Sequence, residues 1–204
     1  MLLPVLGPSL PAAPGGVAEL AGMLLAEIFT GLWLGWMTRL ILLALPMAGQ
    51  LMATAIGMSN VLQPDAMLGA GAAAISRLLG LAAPLVVLST GLHAVVLQAL
   101  VGSYALVHPG QFLPVGDSVE TVVTALATAF GLALRLASPL LVGGLLFQLT
   151  MGLAGRLVPN LQVYFAALPG QILVGAMLFA VLIGAILAEW QDAARVTFDS
   201  LPGR

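Results

Sequence analysis

Three charged side chains sit inside stretches that are otherwise apolar: Glu27, Arg39 and Arg135. In the middle of a membrane helix each would cost roughly 2.5–3.5 kcal/mol. Such groups therefore face protein or water, where they could couple an ion or bind a solute. The reading favoured here asks less of them: Arg39 and Arg135 snorkel near helix ends, and Glu27 bonds within the bundle. Glu27 and Arg39 are 12 positions apart. At about 1.5 Å per residue that is about 18 Å along one helix, so they cannot pair. His93 and His108 have no carboxylate or cysteine close in sequence, whereas metal ligands cluster. A hydrogen-bonded structural His93 and an interfacial His108 are expected. The chain has no H-E-x-x-H, G-x-S-x-G or P-loop pattern, and its serines and threonines have no evident base. No catalytic, cofactor-binding or metal site is expected.

The elements that must position these residues are apolar almost throughout. Of 204 residues, six are basic, all of them Arg, and eight are acidic, so 7% carry charge. The hydrophobic fraction is 61% and the mean hydropathy is +1.13. Too few polar residues remain to cover such a chain in water. A soluble enzyme is thereby excluded, as is a nucleic-acid binder, which needs a basic face. This is an integral membrane protein. Lysine and cysteine are absent, which removes Schiff-base, disulfide and thiolate chemistry. The 24 glycines let membrane helices approach closely.

Charge-free runs cover residues 40–64, 78–116, 136–155 and 157–188. A span needs about 20 apolar residues. Four hydrophobic helices are expected, near 20–45, 79–101, 122–154 and 168–188. The third is too long for one straight span, and Pro139 should kink or split it. Pro46 should interrupt a second apolar helix after the first span. Residues 1–16, with four prolines and three glycines, read as an irregular start, and 17–204 as a single membrane domain. Glu189–Arg204 reads as a polar end-piece at the interface. Arg77 and Arg156 would lie on one side and Arg195 and Arg204 on the other, so the positive-inside rule sets no orientation. Gly31 and Gly35 form a G-x-x-x-G packing face on the first helix. Met47, Met52, Met58 and Met67 gather around the first interhelical break, where ordinary packing is the favoured reading.

Three stretches carry a family resemblance. The first is Glu27-Ile28-x-x-Gly31-x-x-x-Gly35, followed by Ala48-Gly49-Gln50, Gly57 and Asp65. The second is Gly91-x-His93, leading to Ser103-Tyr104 and Pro109-Gly110. The third is Gly152-x-x-Gly155-Arg156-x-x-Pro159-Asn160-x-Gln162-Val163-Tyr164, then Pro169 and Gly175. From about residue 17 onward the chain resembles the FliR family of flagellar and type III secretion export-gate proteins. It departs from the family pattern at Gln50, where members carry Glu, and in the exchanged amides Asn160 and Gln162. Members also begin with a helical hairpin, of which Met1–Gly16 resembles only the tail.

The resemblance implies a non-enzymatic, all-α subunit of the export gate in the bacterial inner membrane, at the flagellar basal body. Its partners would be FliP, FliQ and FlhB, with unfolded export substrates as cargo and membrane lipid around it. No nucleic acid or cofactor is implied. The helices of such a subunit form hairpins that stand partly above the bilayer. The resemblance also implies an apolar plug over Ile56–Gly71: Ile56, Gly57, Met58, Ser59, Asn60, Val61, Leu62, Met67 and Leu68. Composition agrees in one respect, because irregular apolar backbone at membrane depth is tolerated only inside protein or beside a water-filled cavity. Asp65 is the segment's one charge and should sit at the plug's edge, with Arg77 the nearest cation in sequence. Glu27, Gly31, Gly35, Gly49, Gln50, Arg77, His93, Arg156, Pro159, Asn160, Gln162 and Pro169 are the implied structural and assembly positions. Arg156 and Asn160 would hold the turn between the third and fourth helices. The competing reading is a small polytopic solute transporter or channel with Glu27, Arg39 and Arg135 along its path. It would be favoured by inverted repeats, and no convincing internal repeat is seen.

Overall fold

A computed structural model describes residues 15–58, 66–106, 115–157 and 162–199. These form five helices: α1 (Val17–Ile56), α2 (Ala66–Ser89), α3 (Leu92–Leu106), α4 (Val115–Leu157) and α5 (Gln162–Asp199). No strand occurs among the described residues. The protein is an all-α integral membrane protein. Helical stretches at Val17–Ile56, Val119–Arg156 and Ala167–Asp199 are each long and apolar enough to cross a membrane. A fourth crossing is possible if the pair Ala74–Ser89 and Leu92–Tyr104 counts as one span, bent by 74°. The 40 residues of α1 amount to about 60 Å at 1.5 Å per residue, against a hydrocarbon core of about 30 Å. The helix thus exceeds what one perpendicular crossing needs.

The elements differ from the sequence expectation in three places. Pro46 does not end a helix: α1 runs through it to Ile56, and the Ser76 hydroxyl of α2 donates to the Pro46 carbonyl at 2.9 Å. The proline ring removes the amide that would bond the Leu42 carbonyl, whereas this bond goes to the Pro46 carbonyl itself and ties α2 to α1. The expected helix over 79–101 is instead two, α2 and α3, meeting at Thr90–Gly91. Gly91 has φ +77°, a left-handed backbone that costs glycine nothing and ends α2. Pro139 does not split α4, which continues through it as one element. The stretch read as a polar end-piece continues α5 to Asp199, with Trp190, Ala194 and Phe198 fully buried. Their apolar bulk outweighs the charges between them, Asp192 and Arg195, which remain exposed.

The described residues fall into two compact units. One draws on Met1–Ile41, Val86–Thr128 and Ala194–Arg204, the other on Leu42–Leu85 and Ala129–Ala193. In the first, Ala26, Leu34, Met37, Leu40 and Ile41 of α1 are buried, as are Leu92 and Ala99 of α3. The core of the second includes Leu45, Met52, Leu79, Leu136 and Trp190. Here α1 and α2 meet at Gly49, where an added Cβ would lie 2.9 Å from the Ser76 Cα and 3.1 Å from Leu79. Only a residue without a side chain permits that approach. Many large apolar side chains stay outside, among them Leu145, Leu149 and Leu153 of α4 and Leu173, Met177 and Val181 of α5. Such faces suit lipid or other membrane subunits.

Contact at Gly49 and its absence at Gly31 give a paired expectation. Gly49→Val overpacks the α1–α2 contact and should lower unfolding stability in detergent by about 1–3 kcal/mol. Gly31→Val, at a position with nothing within 4 Å, should leave it within about 0.5 kcal/mol. Thermal or denaturant unfolding of the purified chain measures both.

Candidate functional site

The best-built polar feature lies at the C-terminal end of α1. The Met58 amide donates to the Ala53 carbonyl at 3.0 Å and the Gly57 amide to the Thr54 carbonyl at 3.1 Å. Gly57 adopts φ +85°. This pair of bonds with a left-handed glycine is a Schellman cap. The carbonyl of Ala55, which the cap leaves over, takes a 3.2 Å hydrogen bond from Gln171 Nε2 of α5. Gln171 is buried, only 8% exposed. A buried amide carbonyl left unpaired would cost about 1–3 kcal/mol, so this bond satisfies donor and acceptor together.

The surrounding helices close on the same point. A Cβ at Gly144 of α4 would stand 2.5 Å from the Ala55 carbonyl oxygen, and one at Gly175 of α5 2.7 Å from Ile56. A Cβ at Gly57 would come within 3.1 Å of the Gln171 amide. Two glycines on flanking helices thus admit the end of α1, and one amide ties it down. Beside the clasp lies a cavity of about 80 Å³ lined by Ile56, Leu140, Phe147, Gln171 and Leu178, among others.

Two of the three charges in the apolar stretches, Glu27 and Arg135, have a side-chain partner, one in each unit. In the first, Tyr104 Oη of α3 donates to Glu27 Oε2 of α1 at 2.9 Å. Glu27 does bond within the protein, as expected, and its partner is the tyrosine of the motif at Ser103-Tyr104. In the second, Arg135 Nε and Glu189 Oε1 form an ion pair at 2.6 Å. Arg135 therefore does not snorkel at a helix end. It lies near the middle of the apolar stretch Val119–Arg156, and Glu189 offsets its charge. The pair is on the outside, with Arg135 76% and Glu189 40% exposed, so its contribution to stability is small. Arg39 is exposed on α1.

Other sequence positions are placed as follows. Gly31 and Gly35 have nothing within 4 Å, so their packing face meets no other part of the described chain. Gln50, Arg77, His93 and Pro169 are exposed. Arg156 lies in the last turn of α4, where a cation complements the free carbonyls. Gln162 opens α5. Pro159, Asn160 and His108 lie outside the described residues. So do Ser59, Asn60, Val61, Leu62 and Asp65, and with them the proposed contact to Arg77. The segment read as a plug is shorter in irregular backbone than expected: Ile56 is buried in α1, Gly57 and Met58 form its cap, and Met67 and Leu68 already belong to α2. Among the described residues, no group of three His, Asp or Glu could hold a metal.

Gln171 and Gly144 escaped the sequence reading. A signal existed for the first, since Gln171 is a lone amide in the charge-free run 157–188 after Gln162. A polar side chain inside a membrane helix needs an interhelical partner.

The profile of the bacterial export proteins, family 1, matches residues 1–196. The chain belongs to that family. Relatives match it over most of its length. Flagellar biosynthetic protein FliR of Caulobacter vibrioides is 28% identical over 199 residues, covering 98% of this chain and 79% of that protein. FliR of Bacillus subtilis is 26% identical over 186 residues, 88% of this chain and 71% of its own. FliR of Escherichia coli is 26% identical over 188 residues, 91% and 72% respectively. The FliR resemblance read from the three motif stretches is thereby shown, and the exposed apolar faces of α4 and α5 belong to a membrane export protein.

Glu27 and Tyr104 supply the expectation from this site. In a cycle of Glu27→Gln, Tyr104→Phe and the double variant, unfolding in detergent should show a coupling of about 1 kcal/mol. Additive losses would mean that the two side chains do not act as a pair.

Proposed function

We propose that this chain is a non-enzymatic subunit of the flagellar type III export gate in the bacterial inner membrane, and that it helps to form and close the pore for unfolded substrates. The carrying observation is the family match over residues 1–196, joined by relatives that bear the name flagellar biosynthetic protein FliR. FliP, FliQ and FlhB are the partners that this reading implies. The outward apolar faces of α4 and α5 and the open G-x-x-x-G stripe at Gly31 and Gly35 are surfaces such partners or lipid would cover.

Within this reading, the segment from Ile56 to Gly71 seals the pore when no cargo is present. Its support is the family match, an apolar composition with Asp65 as the single charge, and an anchored starting point at the Gly57 cap. A dry apolar constriction stops ions by excluding water. The transporter reading has less support: Glu27 is bonded to Tyr104 and Arg135 to Glu189, so neither stands as an open solute ligand.

Deleting part of 59–69 in a reconstituted gate should raise ion leakage while the complex remains assembled. Leakage at the intact level would overturn the seal. Arg156→Ala should reduce the amount of assembled gate isolated with its sister subunits, because Arg156 steadies the end of α4. Normal assembly with abolished export would instead place Arg156 on the substrate path.

A further inference from the structure

A cavity of about 500 Å³ lies between α1, α4 and α5 within the first unit. Small-molecule sites span about 300–1,000 Å³. Its lining has two chemistries. Met37, Leu40 and Ile41 of α1 form an apolar floor and are buried. On α4, Glu120 and Thr124 line it one helical turn apart and are exposed, so they stand at its mouth. Other hydroxyls of the lining are already engaged. Thr128 Oγ1 donates to the Thr124 carbonyl at 2.8 Å, and Thr121 and Thr197 have partners within the chain. The Glu120 carboxylate and the Thr124 hydroxyl form no ion pair or hydrogen bond among the described residues. These two groups are left to meet a ligand.

Depth and charge select the class of that ligand. Glu120 is the second residue of the apolar stretch Val119–Arg156, and Val196 and Thr197, which also line the cavity, lie near the end of Ala167–Asp199. The ends of membrane-crossing stretches lie at the depth of lipid head groups. Val119 and Val123, next to Glu120 and Thr124 in sequence, are exposed and offer an apolar approach from the bilayer. An unpaired carboxylate repels an anionic head group and accepts hydrogen bonds from an ammonium. Arg195, one residue before Val196, is exposed and forms no ion pair among the described residues. It supplies the opposite charge, for a phosphate, at the same end of α5. We propose that this cavity binds one phospholipid with a primary ammonium head group, its acyl chain on Met37, Leu40 and Ile41 and its ammonium on Glu120 and Thr124. The site needs only the membrane class of the chain and does not rest on the gate reading.

The test uses the complete protein, with any sister subunits that accompany it, in phosphatidylcholine nanodiscs. Three tracer lipids carry the same photoreactive acyl chain and differ in head group: phosphatidylethanolamine, phosphatidylcholine and phosphatidylglycerol. After illumination, crosslinked peptides are mapped by mass spectrometry. The ethanolamine tracer should mark the peptide containing Met37–Ile41 about three- to tenfold more than either of the others. Choline keeps the positive charge but has no N–H donor, so it separates hydrogen bonding from charge alone. Glu120→Gln should bring the ethanolamine tracer down to the choline level. Thr124→Val, at an exposed position, should lower the preference about two- to fourfold. Asp192→Asn removes an exposed carboxylate of α5 that does not line the cavity, and should leave the preference unchanged.

A cavity-filling variant tests the floor. Ile41→Trp should remove labelling of that peptide by all three tracers, and the two exposed substitutions on α4 keep the proposal testable if this one does not fold. Equal labelling by the three tracers in the unmodified protein overturns the proposal. A preference that survives Glu120→Gln overturns it as well. So does an unlabelled Met37–Ile41 peptide with every tracer, which would show a protein segment in the cavity in place of lipid.

Discussion

Close approach at glycine is the constraint on which the rest of this structure depends. In a chain that is 61% hydrophobic, lipid solvates an apolar helix about as well as another helix does. Helices therefore associate through van der Waals fit and a few hydrogen bonds, not through expulsion of water. Gly49 against Ser76, Gly144 against Ala55 and Gly175 against Ile56 are contacts that any side chain would prevent. Those at Gly49 and Gly144 bring two backbones together, and the one at Gly175 seats the Ile56 side chain against bare backbone. The Ser76 hydroxyl reaches Pro46, and the Gln171 amide reaches Ala55, at two of these crossings.

The polar groups that remain are few and their partners are specific. Glu27 meets Tyr104, and Arg135 meets Glu189. An unpaired charge at these depths would cost several kcal/mol, so the partner matters more than the small net stabilisation of the pair. Arg135 and Glu189 form their pair on an exposed surface. Glycine contacts set where the helices touch.

The end of α1 combines both devices. Its cap uses a left-handed glycine, its last carbonyl uses a buried amide, and its neighbours use two bare backbone surfaces.

The sequence by itself determined the membrane class, the helical content, the FliR resemblance and the approximate spans, because composition and charge-free length act locally and need no partner. Pairing was not legible. α1, α4 and α5 are apolar on nearly every side, so no hydrophobic face marks which residues are buried. Arg135 and Glu189 are 54 positions apart, Glu27 and Tyr104 77, and Ala55 and Gln171 116. Pro46 looked like a break, yet its helix continues, because tertiary neighbours outweigh a single lost amide bond. Gly91 carried no sign in the sequence of the 74° bend found beside it. The glycines were visible as a composition; only the tertiary structure decided which of them press against another backbone and which, like Gly31 and Gly35, meet open space. Contact between uniformly apolar helices is a property of pairs of surfaces, and neither surface encodes it alone.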